Sequence, residues 1–263
     1  MSSVREFAVA RTAGRKLVMV TAYDAWSARL LADGPVDALL VGDSVMMVVH
    51  GERDTLGATP ELMAMHTRAV VRGAPKKFIV ADMPFLEVRK GEVPALECAA
   101  LLLRAGAHAV KIEGIRGHAG VVRHLVESGI PVMGHVGLLP QSVHAVGGFV
   151  VQGRTAPEAA RVEAEAVAFE EAGAFALVLE CVPARLAKKI TAARGIPTIG
   201  IGAGPHCTGQ VLVLQDFLGL NPAFRPRFVR RFANGAGVFR EGVAKFSGAV
   251  RSGKFPSRRE SFS

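Results

Sequence analysis

Residues 78–113 read FIVADMPFLEVRKGEVPALECAALLLRAGAHAVKIE, and this stretch is the clearest guide to the fold. A short apolar run, Phe78–Ala81, is followed by a carboxylate, and a second run, Ala109–Ile112, is followed by another. Between them, Pro94–Ala105 carries apolar residues at helical spacing and ends at a Gly. Short, continuous apolar runs are typical of parallel strands that are buried on both faces. The stretch therefore predicts a strand–helix–strand unit with an acidic residue at the end of each strand.

The same unit recurs along the chain, which favours a closed barrel over an open sheet. Eight strand–helix units in about 250 residues are typical of a (β/α)₈, or TIM, barrel. The alternative, a doubly wound open sheet, usually carries a glycine fingerprint after its first strand. Here the first run ends in Thr21-Ala22-Tyr23-Asp24, without such a fingerprint. The predicted strands are Leu17–Tyr23, Ala38–Gly42, Phe78–Ala81, Ala109–Ile112, Pro131–Gly134, Ala176–Leu179, Pro197–Gly202 and Gln210–Leu214.

We expect a single barrel domain over residues 1–263, with helices added at both ends. Residues 3–13 predict a helix that closes the bottom of the barrel, and residues 224–253 predict further helices. The segment 225–263 holds ten basic and two acidic residues, so it carries +8 of the chain's net charge of +9. We interpret it as a basic, helical C-terminal extension that is solvated. The alternative is a tail that touches RNA, a membrane surface or an acidic partner.

Cysteine usage and the N-terminus indicate a cytoplasmic protein. Cys98, Cys181 and Cys207 form no CxxC pair and fit free thiols in a reducing compartment. The N-terminal residues lack the layout of a signal peptide. Two long uncharged stretches, Ser128–Gly153 and Gly195–Gln215, are interrupted by Gly and Pro. We interpret them as buried strands with their loops rather than as membrane spans.

Acidic residues at the strand ends predict a metal site. In a barrel of this kind, the functional site lies at the C-terminal ends of the strands. Asp43, Asp82, Glu113 and Glu180 follow four different strands, and their carboxylates would repel one another there unless a cation balanced them. Oxygen ligands without paired His or Cys favour Mg²⁺ over zinc. The polar residues that follow the predicted strands are Tyr23-Asp24, Asp43-Ser44, Asp82, Glu113, His135, Glu180 and the turn Gly202-Ala203-Gly204.

Several of these residues also have a structural interpretation. Asp24 is expected to cap the helix Ala25–Ala32. His135 is either a residue of the site or a core histidine that bonds to the backbone. Lys111 lies two residues before Glu113, so both side chains share one face of a strand, where the lysine would neutralise an anionic substrate group. A carboxylate that does not bind the metal would serve as the general base.

Ten motifs follow one another along the chain and together carry a resemblance. They are Val20-Thr-Ala-Tyr-Asp24, Val41-Gly-Asp-Ser44, His66-Thr-Arg-Ala-Val70 with Arg72-Gly-Ala-Pro75, Ala81-Asp-Met-Pro-Phe85, Val110-Lys-Ile-Glu-Gly114, Gly134-His-Val-Gly-Leu138, Pro140-Gln-Ser142, Gly147-Gly148 with Val151-Gln-Gly-Arg154, Leu179-Glu-Cys-Val-Pro183 and Gly200-Ile-Gly-Ala-Gly204. This set resembles the ketopantoate hydroxymethyltransferase family. The likeness runs from about Val18 to Leu220 and continues more loosely into the tail.

The resemblance implies a fold, a reaction and an assembly. It implies a (β/α)₈ barrel of the phosphoenolpyruvate/pyruvate type, assembled as a homodecamer. It implies transfer of a hydroxymethyl group from 5,10-methylenetetrahydrofolate to 3-methyl-2-oxobutanoate, which gives 2-dehydropantoate on the route to pantothenate. It also implies Mg²⁺, which favours formation of the enolate. No nucleic acid or membrane is expected as a partner.

The resemblance also implies roles for single residues. Glu180 matches the proton-accepting residue of the family, and His135 matches a motif position near the site. The implied metal ligands are Asp43, Asp82 and, directly or through water, Glu113. The implied substrate contacts are Asp43, Ser44, Asp82 and Lys111.

Two positions depart from the family pattern. Met46 stands where the family usually has Gly, and Thr208 stands where it usually has Asp. Met46 adds bulk and removes backbone freedom close to the predicted site, which bears on substrate size or turnover. The loop that holds Thr208 bears on the folate side or on assembly. We expect residues 44–58 to close over the site as a lid that excludes water.

Two other functions remain open. One is a Mg²⁺-dependent lyase that acts on a 2-oxo acid within the same kind of barrel. Such enzymes typically use a Cys on a mobile loop as the acid, and none of the three cysteines lies in the predicted lid. The other is a non-catalytic barrel that binds nucleic acid or a protein partner through its basic tail.

Overall fold

A computed structural model, which describes residues 3–262, contains eight parallel strands that close into a barrel. Each strand pairs with the next along the chain, and the eighth pairs with the first. The predicted (β/α)₈ barrel is therefore confirmed, and no strand end differs from its predicted position by more than three residues. The strands are β1 (Leu17–Thr21), β2 (Ala38–Val41), β3 (Phe78–Asp82), β4 (Ala109–Glu113), β5 (Val132–Gly137), β6 (Ala176–Glu180), β7 (Thr198–Ile201) and β8 (Gly209–Leu212).

Eleven α-helices occur in the part of the chain that the structure describes, and local signals set several of their ends. The helix Ala25–Ala32 has its predicted bounds because the Asp24 carboxylate accepts a hydrogen bond from the Ser27 backbone N–H at 2.8 Å. The helices are α1 (Val4–Thr12), α2 (Ala25–Ala32), α3 (Val45–Val48), α4 (Pro60–Gly73), α5 (Glu92–Arg104), α6 (Ala119–Glu127), α7 (Val143–Val146), α8 (Ala156–Glu171), α9 (Ala184–Ala193), α10 (Leu214–Phe217) and α11 (Gly235–Arg251).

The contacts divide the chain into two compact units, Met1–Leu212 and Val213–Ser263. In the first unit, α1 closes the N-terminal end of the barrel, as the sequence predicts. Phe7 of α1 is buried, and its ring packs edge-on against Phe78 at 5.3 Å and Phe175 at 5.2 Å.

Alternation along the strands separates two layers of the core in this first unit. In β3, Phe78 and Val80 belong to the cluster inside the barrel, whereas Ile79 and Ala81 belong to the cluster between the strands and the outer helices. The side chains of a strand point alternately to its two faces, so Asp82 shares the inner face with Phe78 and Val80. The same alternation determines which strand-end residues face the axis of the barrel.

The second unit consists of α10, a segment without helix, α11 and a short 3₁₀ turn at Arg258–Glu260. Helices are predicted over residues 224–253, but α11 begins only at Gly235, so that prediction is wrong for the first eleven residues. Pro226 lies in this non-helical segment and has no backbone N–H for a helical hydrogen bond. The last residue of the predicted extension, Ser263, lies outside the described residues. The assignment of residues 1–263 to one domain stays a prediction.

Two features bear on the expected environment of the chain. Over residues 3–262, no helix has both the length and the apolar character that crossing a bilayer requires. Cys98, Cys181 and Cys207 are buried free thiols in the described chain.

Candidate active site at the C-terminal end of the barrel

Neighbouring strands bring the predicted site residues side by side. In the register of the sheet, Asp82 of β3 lies beside Lys111 of β4, and Glu113 of β4 lies beside His135 of β5. Glu180 is the last residue of β6 and lies beside Gly137. All of these side chains occupy the inner positions of their strands, because each lies an even number of residues from an inner core residue. They therefore meet at one end of the barrel.

Asp43 and Ser44 reach this end from the loop after β2. The Asp43 backbone N–H donates a hydrogen bond to Asp82 Oδ2 at 3.0 Å, which ties the loop to β3. The Ser44 hydroxyl lies 2.8 Å from the Tyr23 hydroxyl, which is fully buried at the end of the β1 segment. The structure thus brings both predicted residues of this loop to the carboxylate cluster.

Lys111 is the central cation of the cluster. Its Nζ lies 3.2 Å from Asp82 Oδ1 and 3.6 Å from Glu113 Oε1, and its side chain is 5% exposed. Burial by itself lowers the pKa of Lys111, but the attraction of Asp82, Glu113 and Asp43 outweighs it and raises the pKa above its usual value. Lys111 therefore stays charged beside these carboxylates.

His135 lies between two carboxylates. Its Nδ1 is 3.4 Å from Glu113 Oε1, and its Nε2 is 3.2 Å from Glu180 Oε2. Burial and the nearby Lys111 lower its pKa, but Glu113 and Glu180 outweigh them and raise the pKa to about 9. The interpretation of His135 as a core histidine bonded to the backbone is wrong, because its ring nitrogens face side chains of the cluster.

The pKa values of the acidic residues in the cluster shift in different directions. Burial raises the pKa of Asp43, and repulsion from Glu113 and Asp82 raises it further. Burial also raises the pKa of Asp82, although Lys111 opposes this. Glu113 is buried as well, but Lys111 and His135 more than compensate and lower its pKa. Asp43 and Asp82 are thus the two carboxylates that gain most from an added cation.

Buried carboxylate oxygens that make no hydrogen bond test whether the site suits Mg²⁺. Asp82 Oδ1 and Glu113 Oε1 are buried and make no hydrogen bond of acceptable geometry with any described residue. Within residues 3–262, no three His, Cys, Asp or Glu side chains are already arranged to hold a metal ion. Mg²⁺ commonly binds through one or two carboxylates and completes its octahedron with water and substrate oxygens. The all-oxygen donor set of Asp43 and Asp82 fits that mode.

Gln141 is a site residue to which the sequence assigned no role. It lies in a 3₁₀ turn after β5, and its Nε2 donates hydrogen bonds to Asp43 Oδ2 at 2.8 Å and to the Met83 carbonyl at 3.0 Å. Its backbone N–H donates to Glu113 Oε2 at 3.0 Å. The motif Pro140-Gln-Ser142 could have indicated this role, because a polar residue within a long uncharged stretch requires polar partners.

The two departures from the family pattern fall in different places. Met46 lies within α3, is buried, and its Cε would contact a Cβ added at Gly57. Its backbone is helical, so this position requires no special glycine conformation here. Thr208 directly precedes β8, at the opposite end of the barrel from the carboxylates. The role of residues 44–58 as a lid stays a prediction.

Solved structures of low sequence identity share this fold. A phosphonopyruvate hydrolase, solved as a complex with oxalate and Mg²⁺, superposes with a TM-score of 0.64 at 14% identity and covers 99% of this chain and 93% of its own. A 2,3-dimethylmalate lyase, described as a PEP mutase/isocitrate lyase superfamily member, superposes with a TM-score of 0.63 at 18% identity and covers 100% and 92%. The class of protein that the fold defines is thus a (β/α)₈, or TIM, barrel.

Sequence comparison places the chain more narrowly. The ketopantoate hydroxymethyltransferase family profile matches residues 2–258. The 3-methyl-2-oxobutanoate hydroxymethyltransferase of Bdellovibrio bacteriovorus is 48% identical over 263 residues and covers all of both chains. That of Trichlorobacter lovleyi is 49% identical over 262 residues, with 99% of this chain and 98% of the relative covered. The chain belongs to the ketopantoate hydroxymethyltransferase family, and it is an enzyme of the hydroxymethyltransferase class.

Proposed function

We propose that this enzyme transfers a hydroxymethyl group from 5,10-methylenetetrahydrofolate to 3-methyl-2-oxobutanoate and so produces 2-dehydropantoate for pantothenate biosynthesis. The names of its relatives support the reaction. The observation that carries the proposal is the convergence of a buried lysine and three buried carboxylates beside Glu180, whose side chain is 17% exposed. This arrangement combines a buried lysine and a set of carboxylates suited to a metal ion with a further carboxylate that a substrate can reach.

Asp43 and Asp82 would hold Mg²⁺, with Glu113 acting through water. When bound, Mg²⁺ would withdraw electron density from the keto group of a 2-oxo acid and so make the proton on the adjacent carbon more acidic. The buried Asp82 and Glu113 oxygens that make no hydrogen bond support this assignment.

Lys111 and Ser44 would bind the substrate. The Lys111 ammonium attracts the carboxylate of the 2-oxo acid, and it stays protonated because acidic groups surround it. Ser44 Oγ presents a hydroxyl whose orientation is fixed by the buried Tyr23 hydroxyl at 2.8 Å. These contacts would orient the substrate before the proton is removed.

Glu180 would act as the general base. It accepts the proton from C3 of the substrate, and the resulting enolate carbon forms a bond to the methylene carbon of the folate. Both C–N bonds of that methylene group break, and water gives its OH group to the methylene carbon. The proton from C3 and the remaining proton of the water go to the two nitrogens of the tetrahydrofolate that leaves. His135 Nε2 lies 3.2 Å from Glu180 Oε2, so a protonated His135 would attract the carboxylate of the base. His135 also contacts Glu113, and it thereby links the base to the predicted metal site.

Isotope exchange tests the first half of the reaction. The enzyme with Mg²⁺ and 3-methyl-2-oxobutanoate in deuterium oxide should exchange the C3 proton without folate, as measured by NMR. Glu180→Gln should abolish exchange and leave Mg²⁺ binding unchanged, whereas Glu127→Gln, an exposed residue in α6, should alter neither. Absence of exchange by the folded parent enzyme contradicts the proposed reaction, and normal exchange by Glu180→Gln means that another group is the base.

A Mg²⁺-dependent lyase acting on a 2-oxo acid is the alternative, because the fold is shared with 2,3-dimethylmalate lyase. The burial of the thiols argues against a cysteine that acts as the general acid. Cys181 directly follows Glu180 but is 8% exposed, and burial raises its pKa to about 12. Release of a carbon–carbon cleavage product from a branched 2-hydroxy dicarboxylate would favour the lyase.

Assembly and location complete the proposal. We expect a homo-oligomer, a decamer by resemblance, that works in the cytoplasm and binds neither membrane nor nucleic acid. The buried free thiols support a reducing compartment. Light scattering of the purified chain would give the oligomeric state.

A further inference from the structure

A cavity lies at the end of the barrel opposite the carboxylate cluster. Its volume is about 310 Å³. Lys16 directly precedes β1 and Thr208 directly precedes β8, so the cavity opens at the N-terminal ends of the strands. A five-residue strand spans about 16 Å, which separates the cavity from the site described above. Its polar lining consists of Arg11, Arg15, Lys16, Thr191, His206 and Thr208.

The cavity carries positive charge that its own lining does not neutralise. No Asp or Glu is among the described residues that line it. Arg15 pairs with Asp37 at 2.7 Å. Arg11, by contrast, donates to the Arg194 carbonyl, and Lys16 donates to the Cys207 carbonyl. Carbonyl groups fix the positions of these two cations without cancelling their charge, so both are available to an anion.

Thr208 adds a buried hydroxyl to the cationic lining. The residue is 9% exposed, and its Oγ1 accepts a hydrogen bond from the Thr198 backbone N–H at 3.2 Å. No hydrogen bond between described residues uses the Thr208 hydroxyl hydrogen, so this hydrogen is available to a ligand oxygen. A neutral hydroxyl at this position also leaves the cavity cationic, whereas the Asp usual in the family would place a carboxylate there.

We propose that this cavity binds a phosphate group, free or as part of a small phosphorylated molecule. Arg11, Lys16 and the Thr208 hydroxyl supply two charged donors and one neutral donor, which is the chemistry that phosphate oxygens require. The volume lies at the lower end of the range for small-molecule sites, so it suits one or two phosphate groups rather than an extended ligand. The site is independent of the proposed reaction, because none of its residues belongs to the carboxylate cluster.

Calorimetry with inorganic phosphate and pyrophosphate tests the proposal. The full chain should bind at least one of them saturably at concentrations up to about 1 mM, and more weakly as ionic strength rises. Thr208→Asp should weaken binding at least tenfold because it places a carboxylate among the cations. Thr208→Asn, a neutral side chain of similar size to Asp, should stay within about threefold of the parent.

Controls separate the cavity from other cationic surfaces. Arg251→Gln, at the exposed end of α11, should leave phosphate binding unchanged, and Lys16→Gln should weaken it as Thr208→Asp does. Thermal unfolding checks that each variant is folded. Absence of saturable binding, unchanged binding by folded Thr208→Asp and Lys16→Gln, or an equal loss in Arg251→Gln would each overturn the proposal. Saturating 3-methyl-2-oxobutanoate should not displace phosphate, because the two sites share no residue. A failure of phosphate binding is therefore distinguishable from a failure of the proposed reaction.

Discussion

Replacing Gln141 with alanine should weaken Mg²⁺ binding while leaving every carboxylate of the cluster in place. The Gln141 amide donates to Asp43 Oδ2 and to the Met83 carbonyl, and these two bonds connect the loops after β2, β3 and β5. Alanine removes both, but the backbone N–H that donates to Glu113 Oε2 remains. The variant therefore isolates the orientation of Asp43 from that of Glu113.

The expected magnitude follows from these contacts. A hydrogen bond to a charged carboxylate contributes about 1.5–3 kcal/mol, and one to a neutral carbonyl contributes about 1 kcal/mol. Partial compensation by water at this partly exposed residue leaves a loss of about 2 kcal/mol in the free energy of unfolding, or a fall in Tm of about 4–8 °C. Loss of a residue that orients a metal ligand typically costs about 10–100-fold in metal affinity.

Calorimetric titration with Mg²⁺, combined with thermal unfolding, provides the assay. Ser142→Ala is the matched control, because Ser142 is the next residue of the same 3₁₀ turn. Its hydroxyl makes no hydrogen bond with any described residue, so the substitution removes none. It should leave both Mg²⁺ affinity and Tm close to those of the parent enzyme. If Gln141→Ala lowers Tm as expected but binds Mg²⁺ within about twofold of the parent, Gln141 only stabilises the loop, and the argument that it orients Asp43 is refuted.

Three further predictions concern the metal, the core and the second unit. Asp82→Asn should weaken Mg²⁺ binding and lower turnover by at least about 100-fold, and retention of both in titrations and rate assays would reject Asp82 as a ligand. Gly134→Ala places a Cβ 2.5 Å from the Phe169 ring and should cost about 1–3 kcal/mol in chemical denaturation, whereas Gly120→Ala, with open space at its Cβ, should cost nothing measurable. Burial raises the pKa of Asp216 to about 6, above its value in an unfolded chain, so its ionised form destabilises the fold above that pH and the penalty disappears as the pH falls. Asp216→Asn should therefore raise the free energy of unfolding by about 1 kcal/mol near pH 8 and leave it unchanged near pH 4; an equal gain at both values would contradict the assigned pKa.

Local signals explain why the barrel could be predicted so closely. Strands such as β2 and β3 are short apolar runs that are buried on both faces, and such a run can be recognised without knowing its neighbours. Helix ends carry equally local signals: Asp24 caps α2, and Thr155 forms a capping box with Glu158 at the start of α8. The segment before Gly235 was harder to predict, because a basic composition does not distinguish a helix from an extended chain.

The candidate site could be predicted in part for the same reason. The residues that follow the strands meet at one end of any such barrel, so Asp43, Asp82, Glu113 and Glu180 could be identified before the structure. Their partners could not. Whether His135 bonds to the backbone or to carboxylates depends on which side chains the sheet register places beside it.

The sequence by itself determined the strands, the helices of the barrel that carry clear capping signals, and the order of acidic residues around the barrel, because periodicity and capping act over a few residues. Tertiary structure alone decided which groups, distant in sequence, form a hydrogen bond or line the same cavity. Gln141 reaches Asp43 across 98 residues of sequence, and closure of β8 onto β1 brings Thr208 to the same cavity as Lys16. Such pairings depend on sheet register and barrel closure, which follow from the packing of the whole chain rather than from any one segment.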